Sequence, residues 1–96
     1  MIREVAILTI DPARATEFEG AVAEARPYFE SSEDCLFFTL ERVIETPGSY
    51  RLVVGWTSVE AHIERFRASA EFQKWRDLAG PFFVEPPVVV HTEQVI

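Results

Sequence analysis

Two histidines, two tryptophans and a few arginines are the residues of this 96-residue chain whose chemistry reaches beyond packing. His62 falls on an apolar stripe with Val59 and Phe66. With an ordinary pKa of roughly 6.5, an imidazole in such a place suits proton abstraction from an acidic phenol or anthrone near neutral pH. The plainer alternative is a core histidine satisfied by one hydrogen bond. His91 sits within the last apolar run, on the face of Val89 and Val95, and reaches the same space if the last strand lies beside the first. Two imidazoles in one apolar cavity would form an acid/base pair; two at unrelated places would mean nothing. Trp56 and Trp75 offer flat walls for a planar aromatic ligand, with an indole N–H to donate, or else they fill the core. Tyr50, on the Trp56 face, has a hydroxyl that can donate in the same way, and Phe66 adds a further aromatic wall. Arg42 and Arg51 face opposite ways; one of them stabilises an anion in the pocket, or each pairs with a surface carboxylate. Cys35, at a strand start with no base beside it, reads as core. Two histidines without clustered cysteines are too few for a metal site. Gly20, Gly48, Gly55 and Gly80 are too scattered for a phosphate loop, which argues against nucleotide or flavin.

These side chains need elements to carry them. Residues 2–10 are apolar and β-branched and predict a strand. Asp11-Pro12 is a helix start, and Ala15, Phe18, Val22 and Ala25 keep one face of a helix over about 12–26. Pro27 is expected to break it, leaving Tyr28-Phe29 in a short extra turn. Residues 35–45 and 50–57 predict a hairpin about the Thr46-Pro47-Gly48-Ser49 turn. Thr57-Ser58-Val59-Glu60 has capping-box spacing, with Thr57 at the cap. The following helix carries Val59, His62, Ile63 and Phe66 inward; Ser69 is a second cap or a kink before Phe72 and Trp75, and Gly80-Pro81 ends it. Residues 88–95 predict the last strand. The order β-α-β-β-α-β is the α+β, ferredoxin-like pattern with a four-stranded antiparallel sheet, in one domain over residues 1–96.

Both sheet faces carry apolar residues. Leu36, Phe38 and Leu40 oppose Cys35, Phe37 and Val43; Tyr50, Leu52, Val54 and Trp56 oppose Val53 and Gly55; Val88 and Val90 oppose Val89 and Val95. Two helices cover one face only, so the other predicts a homodimer that closes two sheets into a shared barrel. The formal charge of −7 disfavours nucleic acid and anionic membranes as partners. No apolar run approaches the roughly 20 residues of a membrane span, and the N-terminus lacks the pattern of a signal peptide. One cysteine makes the reducing cytoplasm the expected compartment.

The chain resembles the antibiotic biosynthesis monooxygenase family of dimeric α/β barrels. The resemblance is carried by Cys35-Leu36, by Gly55-Trp56 leading into Thr57-Ser58-Val59-Glu60-Ala61-His62, by Phe66, Phe72-Gln73-Lys74-Trp75 and Gly80-Pro81-Phe82-Phe83, and by Val90-His91-Thr92-Glu93. It implies a pocket between each sheet and its own helices, bounded here by Trp56, His62 and Phe66. It also implies, for some members, oxidation of anthrone- or quinol-type aromatics by O₂ with no metal or flavin. Other members degrade haem with an Asn, a Trp and a proximal His. This chain has no Asn, and Phe66 falls near the helix position where many members have histidine. The expectation is therefore a cofactor-independent monooxygenase of a small planar phenolic or quinol-like compound, with His62 or His91 as base and Trp56, Tyr50, Phe66 and Trp75 as binding residues. The rival expectation is a non-catalytic dimeric ligand-binding or stress-associated barrel, with haem degradation a distant third.

Overall fold

A computed structural model describes residues 1–96. Four strands, β1 (Ile2–Thr9), β2 (Cys35–Arg42), β3 (Ser49–Trp56) and β4 (Val88–Thr92), form one antiparallel sheet in the order β2-β3-β1-β4. Helices α1 (Ala15–Glu30) and α2 (Ala70–Ala79) pack on one face of it. This is the α+β, ferredoxin-like arrangement that the residue pattern predicts. Alternation along β1 and β3 decides which side chains meet the helices. Glu4, Ala6 and Leu8 pair with Val54, Leu52 and Tyr50, and all six are buried. From α1, Phe18, Val22, Ala25 and Phe29 close over them, and from α2, Trp75 and Ala79.

Pro27 does not break α1, which runs on to Glu30. Proline has no N–H for the carbonyl of Ala23, but both residues are exposed, and on the solvent side of a helix a carbonyl can turn to water instead. Meanwhile Phe29, two residues on, is fully buried against Phe38, Phe66 and Trp75. That apolar anchorage outweighs the lost bond. A bulge between Cys35 and Phe37 changes the expected parity of β2: Cys35 pairs with Trp56 on the helix face, while Leu36 turns out to solvent. Phe37 then lies over Gly55, where a side chain would collide with its ring, so β3 needs a glycine at that position. The outer face carries Val5, Ile7, Phe37 and Val53 partly covered and Val88 and Val90 exposed.

The second helical region is two pieces. Residues Ala61–Phe66 form a π-helical turn, closed by Arg67 N–H donating to the His62 carbonyl at 3.0 Å. Its cap is Ser58, whose Oγ accepts from Ala61 N–H at 3.1 Å; the Thr57 hydroxyl instead donates to Asp34 at 2.7 Å. Ser69 then caps α2, accepting from Phe72 N–H at 3.2 Å. The wide turn points His62 and Phe66 inward and leaves Val59 and Ile63, expected on the same stripe, partly exposed. No helix is long and apolar enough to cross a membrane.

Candidate functional site

The site grows from a carboxylate in an apolar layer. Glu4 occupies the helix-facing side of the central strand β1, in line with Ala6 and Leu8, and only 5% of it is exposed. On β4, His91 is its direct cross-strand neighbour. On β3, Trp56 lies two residues beyond Glu4's partner Val54, within diagonal reach. The Trp56 Nε1–H donates to Glu4 Oε1 at 3.0 Å. From the helix layer, the π turn lowers His62 between these strands. Its Nε2 is 3.2 Å from the same Glu4 oxygen, and its Nδ1 is 2.8 Å from His91 Nε2. The imidazole stacks on the Trp56 indole, with centroids 5.4 Å apart and planes 18° from parallel. The result is a series, Glu4–His62–His91, whose donor and acceptor atoms face one another rather than a common centre.

A cavity of about 170 Å³ opens beside this series. Glu4 and His62 form its polar wall, Leu52, Phe72, Trp75 and Val89 much of its apolar lining, and Arg67 and Arg76 bring the cations. The sequence-predicted residues divide accordingly. His62 and His91 come together, Trp75 lines the cavity, and Trp56 stands behind His62 and holds Glu4. Phe66 does not reach the cavity, because the π turn directs it into a cluster with Phe29 and Trp56. Tyr50 is also elsewhere. It is the second residue of β3, six residues or roughly 20 Å from Trp56, and its hydroxyl donates to Glu19 at 2.6 Å in a surface groove shared with Arg42. Arg42 itself pairs with Glu19 at 2.7 Å.

The sequence profile described as "Antibiotic biosynthesis monooxygenase" matches residues 1–78. The chain belongs to the antibiotic biosynthesis monooxygenase family. Its 95-residue match with the uncharacterized protein YczJ of Bacillus subtilis is 35% identical and covers 99% of this chain and all of that one. A Bordetella bronchiseptica protein classed with the same monooxygenases superposes with a TM-score of 0.95 at 45% identity, covering 99% of this chain and 97% of the other. SnoaB, a cofactor-independent oxygenase from Streptomyces nogalater, shares the fold with a TM-score of 0.80 at 21% identity, covering 99% of this chain and 93% of its own.

In this family member the two buried titratable groups of the site, Glu4 and His62, are pushed in opposite senses. Burial raises the Glu4 carboxyl from its ordinary 4.5 to about 7, against the opposing pull of the Trp56 N–H and the Arg67 charge. Burial also lowers His62 from 6.5 to about 4, helped by the neighbouring His91 and Arg67. His62 is therefore a neutral imidazole at pH 7, and its contact with Glu4 is a hydrogen bond rather than an ion pair. The Cys35 thiol, next to Trp56, is pushed up to about 11 by burial and by the Glu30 and Glu4 charges, so it stays protonated. Glu4, Arg67 and Arg76 did not stand out in the sequence. The available signal for Glu4 was parity: a carboxylate sharing a strand face with Ala6 and Leu8.

Proposed function

We propose that this protein is a monooxygenase that inserts one atom of O₂ into a small planar phenolic or quinol-like compound without a metal or flavin. The observation that carries the reading is the buried Glu4 carboxyl, held by His62, at the wall of an otherwise largely apolar cavity. Such a wall can take a hydroxyl proton and leave an electron-rich anion in a dry site. That anion passes one electron to O₂, and the resulting radical and superoxide combine at a ring carbon. Loss of water then leaves a carbonyl there. For a hydroquinone the balance is hydroquinone plus O₂ giving hydroxyquinone plus water; the substrate loses two hydrogens and keeps one oxygen atom. The fold shared with SnoaB, a cofactor-independent oxygenase, supports the absence of a cofactor from this scheme.

The cavity volume favours one aromatic ring. About 170 Å³ is close to the roughly 150 Å³ of an engineered apolar cavity that accommodates benzene, and it is small for a three-ring anthrone. Trp75 and Phe72 supply flat apolar surface, and Arg67 and Arg76 favour a substrate that becomes anionic. The outer sheet face, with Val88 55% and Val90 45% exposed, supports a homodimer in which a second copy covers it. The test is O₂ uptake by the purified protein with substituted hydroquinones, catechols and anthrones and no added cofactor. One-ring substrates should be consumed fastest, with product carrying one ¹⁸O from ¹⁸O₂. Ligand capture with no O₂ uptake above the protein-free rate would replace this reading with the binding-only barrel.

A further inference from the structure

We propose that Glu4, rather than either histidine, takes the substrate proton, and that His62 and His91 are positioning and relay residues that carry it from the cavity to the β4 edge. The inference rests on the phenolic reading above and assigns the parts within it. Three observations carry it. First, both polar contacts of Glu4 fall on Oε1, from Trp56 and His62; Oε2 takes none, yet it is not sealed in the core, and Glu4 lines the cavity. One carboxylate oxygen is thus anchored and the other is free for a substrate hydroxyl. Second, both ring nitrogens of His62 are already engaged, Nε2 with Glu4 and Nδ1 with His91, so His62 has no lone pair to offer the cavity. Third, His91 lies on β4, the sheet edge, and is only half-buried, whereas Glu4 and His62 are buried.

The series has two complete hydrogen-bonding states that differ by one proton. With Glu4 ionised, His91 Nε2–H donates to His62 Nδ1, and His62 Nε2–H donates to Glu4. With Glu4 protonated, its hydroxyl donates to His62 Nε2, and His62 Nδ1–H donates to His91 Nε2. Passing from the second state to the first moves a proton from Glu4 to His62 Nε2 and one from His62 Nδ1 to His91 Nε2, and releases the Nδ1 proton of His91. The substrate proton arrives on Oε2 and leaves from the oxygen facing His62, so the carboxylic acid turns about its Cγ–Cδ bond in between; the two imidazoles stay in place, because the 3.2 Å and 2.8 Å spacings serve both states. The charged and titratable groups around Glu4 are His62 after β3, His91 on β4, Cys35 on β2, Arg67 after the π turn and Arg76 on α2. Glu4's raised midpoint, about 7, agrees with this use: a base about half ionised at neutral pH and strong enough to hold a proton.

The experiment has an anaerobic and an aerobic arm, both on the full chain. Without O₂, a hydroquinone is titrated into wild-type protein and Glu4→Gln between pH 6 and 8. The hydroquinone stays uncharged, so affinity reports the acceptor. Wild-type affinity should rise about tenfold across that range as Glu4 ionises, and that of Glu4→Gln should stay flat. With O₂, kcat should fall at least about 100-fold in Glu4→Gln and recover partly in Glu4→Asp. His91→Ala should slow turnover and be restored by added imidazole, a response that lost packing would not give. Glu4→Gln turning over within threefold of wild type would overturn the assignment and leave the monooxygenase intact. Glu4-dependent, pH-linked binding without any O₂ uptake would uphold Glu4 as acceptor and remove the monooxygenase. Binding with no pH dependence in wild type overturns the assignment outright. If Glu4→Gln does not fold, normal turnover by His91→Ala with no imidazole response overturns the relay.

Discussion

Replacing Glu4 by Gln removes a titration while keeping side-chain size and an acceptor for Trp56, so its effect on stability should depend strongly on pH. In the wild type Glu4 binds its proton more tightly when folded, because burial lifts it from 4.5 to about 7. Between those values the folded state holds the proton and the unfolded state does not, so stability falls as pH rises. The full change, from 4.5 to about 7, is worth roughly 3 kcal/mol at 1.36 kcal/mol per pH unit. His62 works the other way. Its midpoint falls from 6.5 to about 4, so the unfolded state binds the extra proton and stability rises with pH by a similar roughly 3 kcal/mol over that window. The two slopes nearly cancel between pH 4.5 and 6.5, and this pair leaves the wild type almost indifferent to pH there. Glu4→Gln exposes the His62 slope. The stability of the variant minus that of the wild type should climb by roughly 3 kcal/mol from pH 4.5 to 7 and stay level on either side. Glu19 and Asp34, whose carboxyls are held low by hydrogen bonds from Tyr50 and Thr57, titrate equally in both proteins and drop out of the difference. Urea denaturation at half-unit pH steps measures the curve. A difference that is flat across the range would refute the burial argument, since it would mean Glu4 titrates alike in the folded and unfolded chains.

Trp56→Phe should raise the Glu4 midpoint by about one pH unit or more, because a hydrogen bond to a charged group is worth roughly 1.5–3 kcal/mol; carbon-13 NMR of the labelled carboxyl would measure it. Val90→Asp on the outer face should convert a dimer to a monomer in sedimentation equilibrium, and a wild type already monomeric at micromolar concentration would refute the barrel closure. Gly55→Ala should destabilise by roughly 1–3 kcal/mol through collision with Phe37, with the loss reduced in Gly55→Ala/Phe37→Leu; urea midpoints for both decide it. Ser69→Ala should cost about 1 kcal/mol by thermal melting, since it strips the α2 cap that accepts from Phe72.

The fold was legible because its signals are local and redundant. Asp11-Pro12 starts the first helical region, Gly48 turns the hairpin with φ of 87°, and Ser69 caps α2. The errors fell where tertiary packing overrides a local rule. Pro27 stops a helix in isolation, but Phe29 buried beyond it carries α1 on to Glu30. The π turn leaves no mark in residue spacing, so Val59 and Ile63 read as core and Phe66 as a cavity wall. The meeting of the two histidines was legible, because it followed from topology. Glu4 was not, because Arg3-Glu4 at a strand start looks like an ordinary solvated pair. Only its phase with Ala6 and Leu8 marks a carboxylate at a buried position.

That phase also explains why three distant sequence positions form one device. A split βαβ topology brings the last strand beside the first, and the register then sets Glu4 opposite His91. A slip of one residue would turn His91 to the outer face and leave Val90 or Thr92 against Glu4. Direct neighbours across strands stand roughly 5 Å apart, too far for carboxylate and imidazole to meet without side-chain reach. His62 spans the interval from above, and the π turn is what allows it. An α-helical turn after Ser58 would place residues 62 and 66 on one stripe with 59 and 63. The wider turn drops His62 onto the Trp56 ring and into the gap between Glu4 and His91. The irregularity that sequence spacing hides is thus the feature that joins a buried carboxylate to the sheet edge.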